Sequence, residues 1–113
     1  MMNFKNPNFS EEEKTIFNRF PKLFRQTELT MQESCMYWGL DWPEELYYII
    51  ENLAEEIDKI APDAFEFAQI KTKFNIGVIY YDIVDSLPAE TLALIQKLVE
   101  EAEEKCTEFL KTT

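Results

Sequence analysis

Three groups of residues in this chain are of types that do chemistry. They are the thiols Cys35 and Cys106, carboxylate pairs such as Asp82/Asp85 and Glu100/Glu104, and the aromatic cluster Tyr37, Trp38 and Trp42. A thiol nucleophile needs a base beside it, and the chain contains no histidine, which also removes Ser-His-Asp chemistry and imidazole metal ligands. Cys35 therefore reads as a buried structural thiol. Two distant cysteines fall short of the four ligands of a structural zinc site. The carboxylate pairs could hold Mg²⁺ or act as acid and base, but helical glutamates at this density more often form a solvated face. With 2 glycines in all, there is no glycine-rich phosphate loop. No catalytic residue, cofactor or metal site is expected.

The aromatic cluster has two readings. Cys35, Tyr37, Trp38 and Trp42 could plug the junction between the first and second helices, since aromatic rings dominate cores. Alternatively they present an exposed anchor or line a small-ligand or metal pocket, because Trp and Tyr are enriched at interface hot spots. Tyr48 stands apart from the apolar face of its helix, among Glu44, Glu51 and Glu55, and reads as an interface anchor or as a lone exposed ring.

Charge gives the second lead. Up to Leu40, Glu11, Glu12, Glu13, Glu28 and Glu33 are balanced by Lys5, Lys14, Arg19, Lys22 and Arg25, so the net charge of −11 arises from Asp41 onward. Such a balance disfavours nucleic acid or an anionic membrane as a direct target and favours a basic protein surface. The candidate contacts are Glu51, Glu55 and Asp58 on one helix and Glu100, Glu101, Glu104 and Glu108 on another. The alternative is a face that only keeps the domain soluble.

These residues need elements to position them. The chain has 113 residues, 46% of them hydrophobic and 14% aromatic, enough for one domain with one core. Residues 1–9 read as an irregular arm. Ser10 with Glu13 forms a capping box for a helix to about Arg19, broken by Pro21 and followed by a short turn through Arg25. Asp41 with Glu44 predicts a second capping box, with Pro43 in the first turn and an apolar face of Leu46, Ile49, Ile50, Leu53, Ile57 and Ile60. Phe65–Phe74 and Val78–Val84 read as a β-hairpin whose turn uses Asn75 and Gly77 for positive φ. The apolar face of its first strand switches partway, which suggests a bulge or coverage on both sides. A third helix is predicted from about Pro88 to Phe109, burying Leu92, Ile95, Leu98, Val99, Ala102, Cys106 and Phe109. The expected fold is α+β, in the order α-α-β-β-α, with three main helices around a two-stranded antiparallel hairpin. No apolar run approaches the roughly 20 residues of a membrane span, and the two thiols fit a reduced, cytoplasmic protein.

Several stretches resemble a family of small bacteriophage and prophage proteins. They are Arg19-Phe20-Pro21-Lys22-Leu23-Phe24, Cys35 to Leu40, Ala68-Gln69-Ile70-Lys71-Thr72-Lys73-Phe74-Asn75, Tyr80-Tyr81 and Ala102 to Glu108. The family's second cysteine is Trp42 here, its glycine turn is Pro43-Glu44, and the second position of its Cys-x-x-Cys tail is Phe109. No metal site is thus carried over. A strand arginine of the family is Val78. The resemblance implies a phage origin rather than an activity. Joined to the acidic helices, it leads to the expectation of a non-enzymatic accessory protein in the host cytoplasm. Such a protein would inhibit a basic, nucleic-acid-handling or immune host protein, as a monomer or small homo-oligomer. A small-ligand protein built on the aromatic loop and a virion or assembly component are the competing readings.

Overall fold

The computed structural model describes residues 1–112. In chain order they form α1 (Glu11–Arg19), α2 (Tyr47–Ile60), β1 (Phe65–Lys73), β2 (Ile76–Ile83) and α3 (Ala89–Thr112). Short 3₁₀ turns lie at Arg25–Glu28, Cys35–Trp38 and Glu44–Leu46. This is the expected α+β order around one antiparallel hairpin. Among the described residues, no helix is long and apolar enough to cross a membrane.

The capping box of α1 forms as expected: the Glu13 amide donates to Ser10 Oγ at 3.1 Å, and the Ser10 amide donates to Glu13 Oε1 at 3.0 Å. The second capping box does not. The Asp41 amide instead donates to the Ile70 carbonyl at 3.1 Å, and Leu40 makes a parallel bridge to Ile70. Residues 40–41 thus serve as a fragment of strand on the free edge of β1. Pro43, extended at ψ 139°, leads into the 3₁₀ turn of Glu44–Leu46, and α2 begins only at Tyr47. Its apolar face is buried as the spacing predicts, except Ile60 at the exposed end.

The hairpin turn also differs. Lys73 pairs with Ile76, leaving a two-residue loop in which Phe74 and Asn75 take positive φ of 54° and 61°. This conformation matches the right-handed twist of the strands, and Asn at its second position is favourable. Gly77 is an ordinary strand residue, needed for another reason given below. The predicted bulge is present between Phe67 and Gln69. It lets Phe65 and Phe67 on one side of it and Ile70 on the other all enter the core.

Aromatic rings tie the layers together. Phe4, Phe9 and Phe17 meet edge to face, so the arm of residues 1–9 is irregular in backbone but joined to the core. Phe24 stacks on Phe67 at 4.7 Å, and Phe65 stacks on Tyr81 at 5.0 Å. Along β2, the Gly77 amide donates to Thr107 Oγ1 at 3.0 Å and the Ile79 amide to Glu103 Oε2 at 2.9 Å. The helix therefore runs antiparallel to β2 along its open edge, satisfying donors that would otherwise invite another strand. The predicted stripe of α3 is buried at Ile95, Val99, Ala102 and Cys106, while Leu92 is exposed.

Candidate functional site

The aromatic loop is not one unit. Trp42 is buried, and its indole N–H donates to the Lys71 carbonyl at 2.7 Å, so it is a core residue fastening the loop to β1. Trp38 is 60% exposed and meets Tyr37 edge to face. Cys35 is also exposed, which corrects the expectation of a buried thiol. It lies at the start of a 3₁₀ turn whose inward position is taken by Met36, and a turn of this length buries one side chain. Cys106 is the buried thiol. Among the described residues, no group of three or more Cys, Asp or Glu side chains is placed to hold a metal ion.

Below this loop lies a contact that the sequence does not announce. Glu13 is buried, and its second oxygen accepts a hydrogen bond from the Leu40 amide at 2.9 Å. One carboxylate thus caps α1 and pins the far end of the aromatic loop. Gly39, at φ 74°, lets the backbone approach that carboxylate and the Phe9 ring. Beside it, the Tyr47 hydroxyl donates to the Leu40 carbonyl at 3.3 Å. Burial, then the charges of Glu13, Glu44, Glu12 and Asp41, push this phenol up to about 12.

Burial alone pushes the Cys106 thiol from 9.0 up to about 11. Both groups hold their protons more tightly when folded. Their contribution to stability is therefore complete below the unfolded values and is lost as pH rises through the folded ones. We expect the urea midpoint to be insensitive to these groups up to about pH 9, then to fall as pH approaches about 12. The double variant Tyr47→Phe, Cys106→Ala should fall less steeply over that range. A wild-type midpoint unchanged at pH 11 would contradict this.

The acidic residues separate into two environments. On α2, Arg19 of α1 spans Glu51 at 2.9 Å and Glu55 at 2.7 Å, and its guanidinium is held above its ordinary value, first by the Glu51 bond. Lys59 adds Glu56 at 3.2 Å and approaches Glu55 at 3.9 Å. Glu51, Glu55 and Glu56 are therefore each in an ion pair within the chain, with two cations shared among the three carboxylates. Asp58 is half-buried in the last turns of the helix.

Glu100, Glu101, Glu104 and Glu108 on α3 are all exposed, and among the described residues none is in an ion pair. Glu100 accepts only a bond from Gln96, at 3.0 Å. It flanks the sheet side, where it and Glu103 add to burial in raising the Tyr81 phenol. Glu101 flanks the other side and lines a groove of about 240 Å³ between α2 and α3. Tyr48, 57% exposed, forms the opposite wall of that groove, above a floor of Ile49, Leu53, Leu98 and Ala102. The fold therefore brings Tyr48 and Glu101 together, with Glu104 and Glu108 continuing the ridge.

Two features were missed by the sequence reading. One is Arg19, whose role depends on partners 32 and 36 residues away. The other is a polar cluster in which buried Gln26 donates to Glu66 at 3.0 Å and Asp82 at 2.8 Å, accepts from Ser34 at 2.6 Å, and adjoins the Arg25–Glu66 pair. A lone buried glutamine carries no periodic signal. Comparison with known proteins gives no match to any protein family, curated protein or solved structure.

Proposed function

We propose that this chain is a phage-type accessory protein that binds and inhibits a basic host protein, one that handles nucleic acid or acts in CRISPR or restriction immunity. The observation that carries the reading is the unpaired ridge of Glu100, Glu101, Glu104 and Glu108 beside the exposed ring of Tyr48. At 1.5 Å per residue these four carboxylates span about 12 Å, or one charge per roughly 4 Å. A nucleic-acid strand carries one phosphate per about 3.4 Å of helix axis. A groove evolved for phosphates would accept such a ridge, with fast, salt-sensitive association. Tyr48 supplies the ring that such an interface buries at its centre. The resemblance to phage proteins supports the biological setting, and the closed charge pairs on α2 direct the contact to α3 rather than to Glu51 and Glu55.

The test is affinity capture on the tagged protein from lysate of a bacterium carrying defence systems, compared with a variant carrying Glu→Lys at 100, 101, 104 and 108. We expect one stoichiometric basic partner, released by moderate salt but not by nuclease, and its loss from the variant with the helical circular-dichroism signal intact. The captured partner should also lose nucleic-acid binding when the wild-type protein is added. A partner retained by the variant, or none at low salt, would reduce the ridge to a solubilising surface.

A further inference from the structure

Both edges of the hairpin are occupied, and the face turned from the core is covered at its base, where Gln26 donates to Glu66 and Asp82 and Arg25 pairs with Glu66, but is exposed at Ile76 and Tyr80. The Phe67 amide on β1 donates to the Leu23 carbonyl at 2.9 Å, residues 40–41 pair with Ile70, and α3 covers β2. Addition of a further strand is therefore blocked. By the strand register, the face turned from the core carries Lys73/Ile76, Lys71/Val78, Gln69/Tyr80 and Glu66/Asp82 in order from tip to base. Ile76 and Tyr80 are each 50% exposed, and Phe74 at the tip is 88% exposed. Lys71 Nζ lies 5.9 Å from the centre of the Tyr80 ring, which places lysine and tyrosine on the same side.

This face has a polarity. Its tip carries Lys71 and Lys73, its base carries Asp82 beyond the closed Arg25–Glu66 pair, and an apolar row joins them over about 20 Å. Such a surface matches itself when turned end for end, which is the relation a two-fold axis imposes. An unrelated acidic partner would match only the lysine end, and a basic one only the carboxylate end. We propose that this face docks on the same face of a second copy of the chain. In that arrangement Ile76, Val78 and Tyr80 pack on their counterparts, and Lys71 and Lys73 of each copy meet Asp82 of the other.

Two strands cover less than the roughly 800 Å² per partner of a standard interface, so the dimer is weak and concentration-dependent. The net charge of −11 per copy opposes it at long range, and that repulsion is screened beyond about 10 Å at 0.1 M salt. The inference does not rest on the acidic-ridge reading, and its test involves no host protein.

Sedimentation equilibrium from about 10 µM to about 1 mM should show a monomer–dimer equilibrium with a dissociation constant between those limits. The double variant Lys71→Glu, Lys73→Glu and the single variant Asp82→Lys should each weaken it at least about tenfold. An equimolar mixture of the two variants should regain dimer, because opposite charges then meet at both ends of the contact. Tyr80→Ser, at an exposed position, should weaken association similarly without touching a charge. Wild-type protein monomeric at about 1 mM, variants that dimerise as wild type, or a mixture no more dimeric than its components would each overturn the proposal.

Discussion

Replacing Gly39 with alanine should destabilise the protein by about 3 kcal/mol or more, a shift of about 15 °C or more in Tm for a domain of this size. At φ 74° and ψ −144°, Gly39 occupies a region that L residues rarely enter, at a cost of order 1–3 kcal/mol. A Cβ there would also meet Glu13 Oε2 and lie 2.9 Å from Cε1 of Phe9. Displacing the carboxylate leaves the buried Leu40 amide without its acceptor, which costs a further 1–3 kcal/mol. Alanine would restrict the unfolded chain and recover only about 0.4–1 kcal/mol, so strain and lost bonding dominate. The two causes can be separated by repeating the substitution in a Glu13→Ala background. The clash with the carboxylate is then absent, and the penalty should shrink toward the φ term and the remaining Phe9 contact. A loss under 1 kcal/mol in the wild-type background would mean that the 39–40 backbone adapts without cost.

The extent to which the fold was legible follows from the range of the interactions involved. The core face of α2 repeats at helical spacing, and the Ser10–Glu13 box closes within one turn, so both were readable from neighbouring residues. The start of α2 was misjudged because Asp41 and Glu44 satisfy a local capping pattern, whereas the Asp41 amide is claimed by Ile70, 29 residues ahead. The hairpin turn was placed on Asn75 and Gly77 because glycine is the usual positive-φ residue. Phe74 adopts that conformation here because the Lys73–Ile76 pairing dictates a two-residue loop. The acidic residues were all visible, but not their inequality. Only the packed structure places Arg19 over Glu51 and Glu55 and leaves the α3 ridge outside the ion pairs of the described residues. Cys35 was expected inside on chemical type alone, and a 3₁₀ turn that buries Met36 turns it outward.

Gly77 shows the same long-range dependence, and its replacement is the second substitution with a large expected effect. In a strand interior alanine is ordinarily better than glycine by about 0.5–1 kcal/mol, so a purely local reading would expect Gly77→Ala to stabilise β2. In this fold a Cβ at position 77 would lie 2.6 Å from Cβ and 2.8 Å from Sγ of Cys106, and 3.1 Å from the Glu103 carbonyl oxygen. Cys106 is fully buried, and the nearest atoms belong to a helix backbone and a side-chain root, neither of which can rotate away. The strain is relieved only if α3 moves off β2. Overpacking of this kind costs about 1–3 kcal/mol. Outward movement also stretches the Gly77–Thr107 and Ile79–Glu103 bonds, each worth about 1 kcal/mol. The net expectation is a loss of about 2–4 kcal/mol, read from the urea midpoint at constant slope. Adding Cys106→Gly removes the opposing Cβ and Sγ and should recover part of that loss, despite the roughly 1 kcal/mol that glycine costs inside a helix. Because α3 carries the unpaired ridge, Gly77→Ala should also impair capture of a basic partner in proportion to the displacement, with every ridge residue still present. An unchanged midpoint would show that α3 is seated more loosely on β2 than this contact implies.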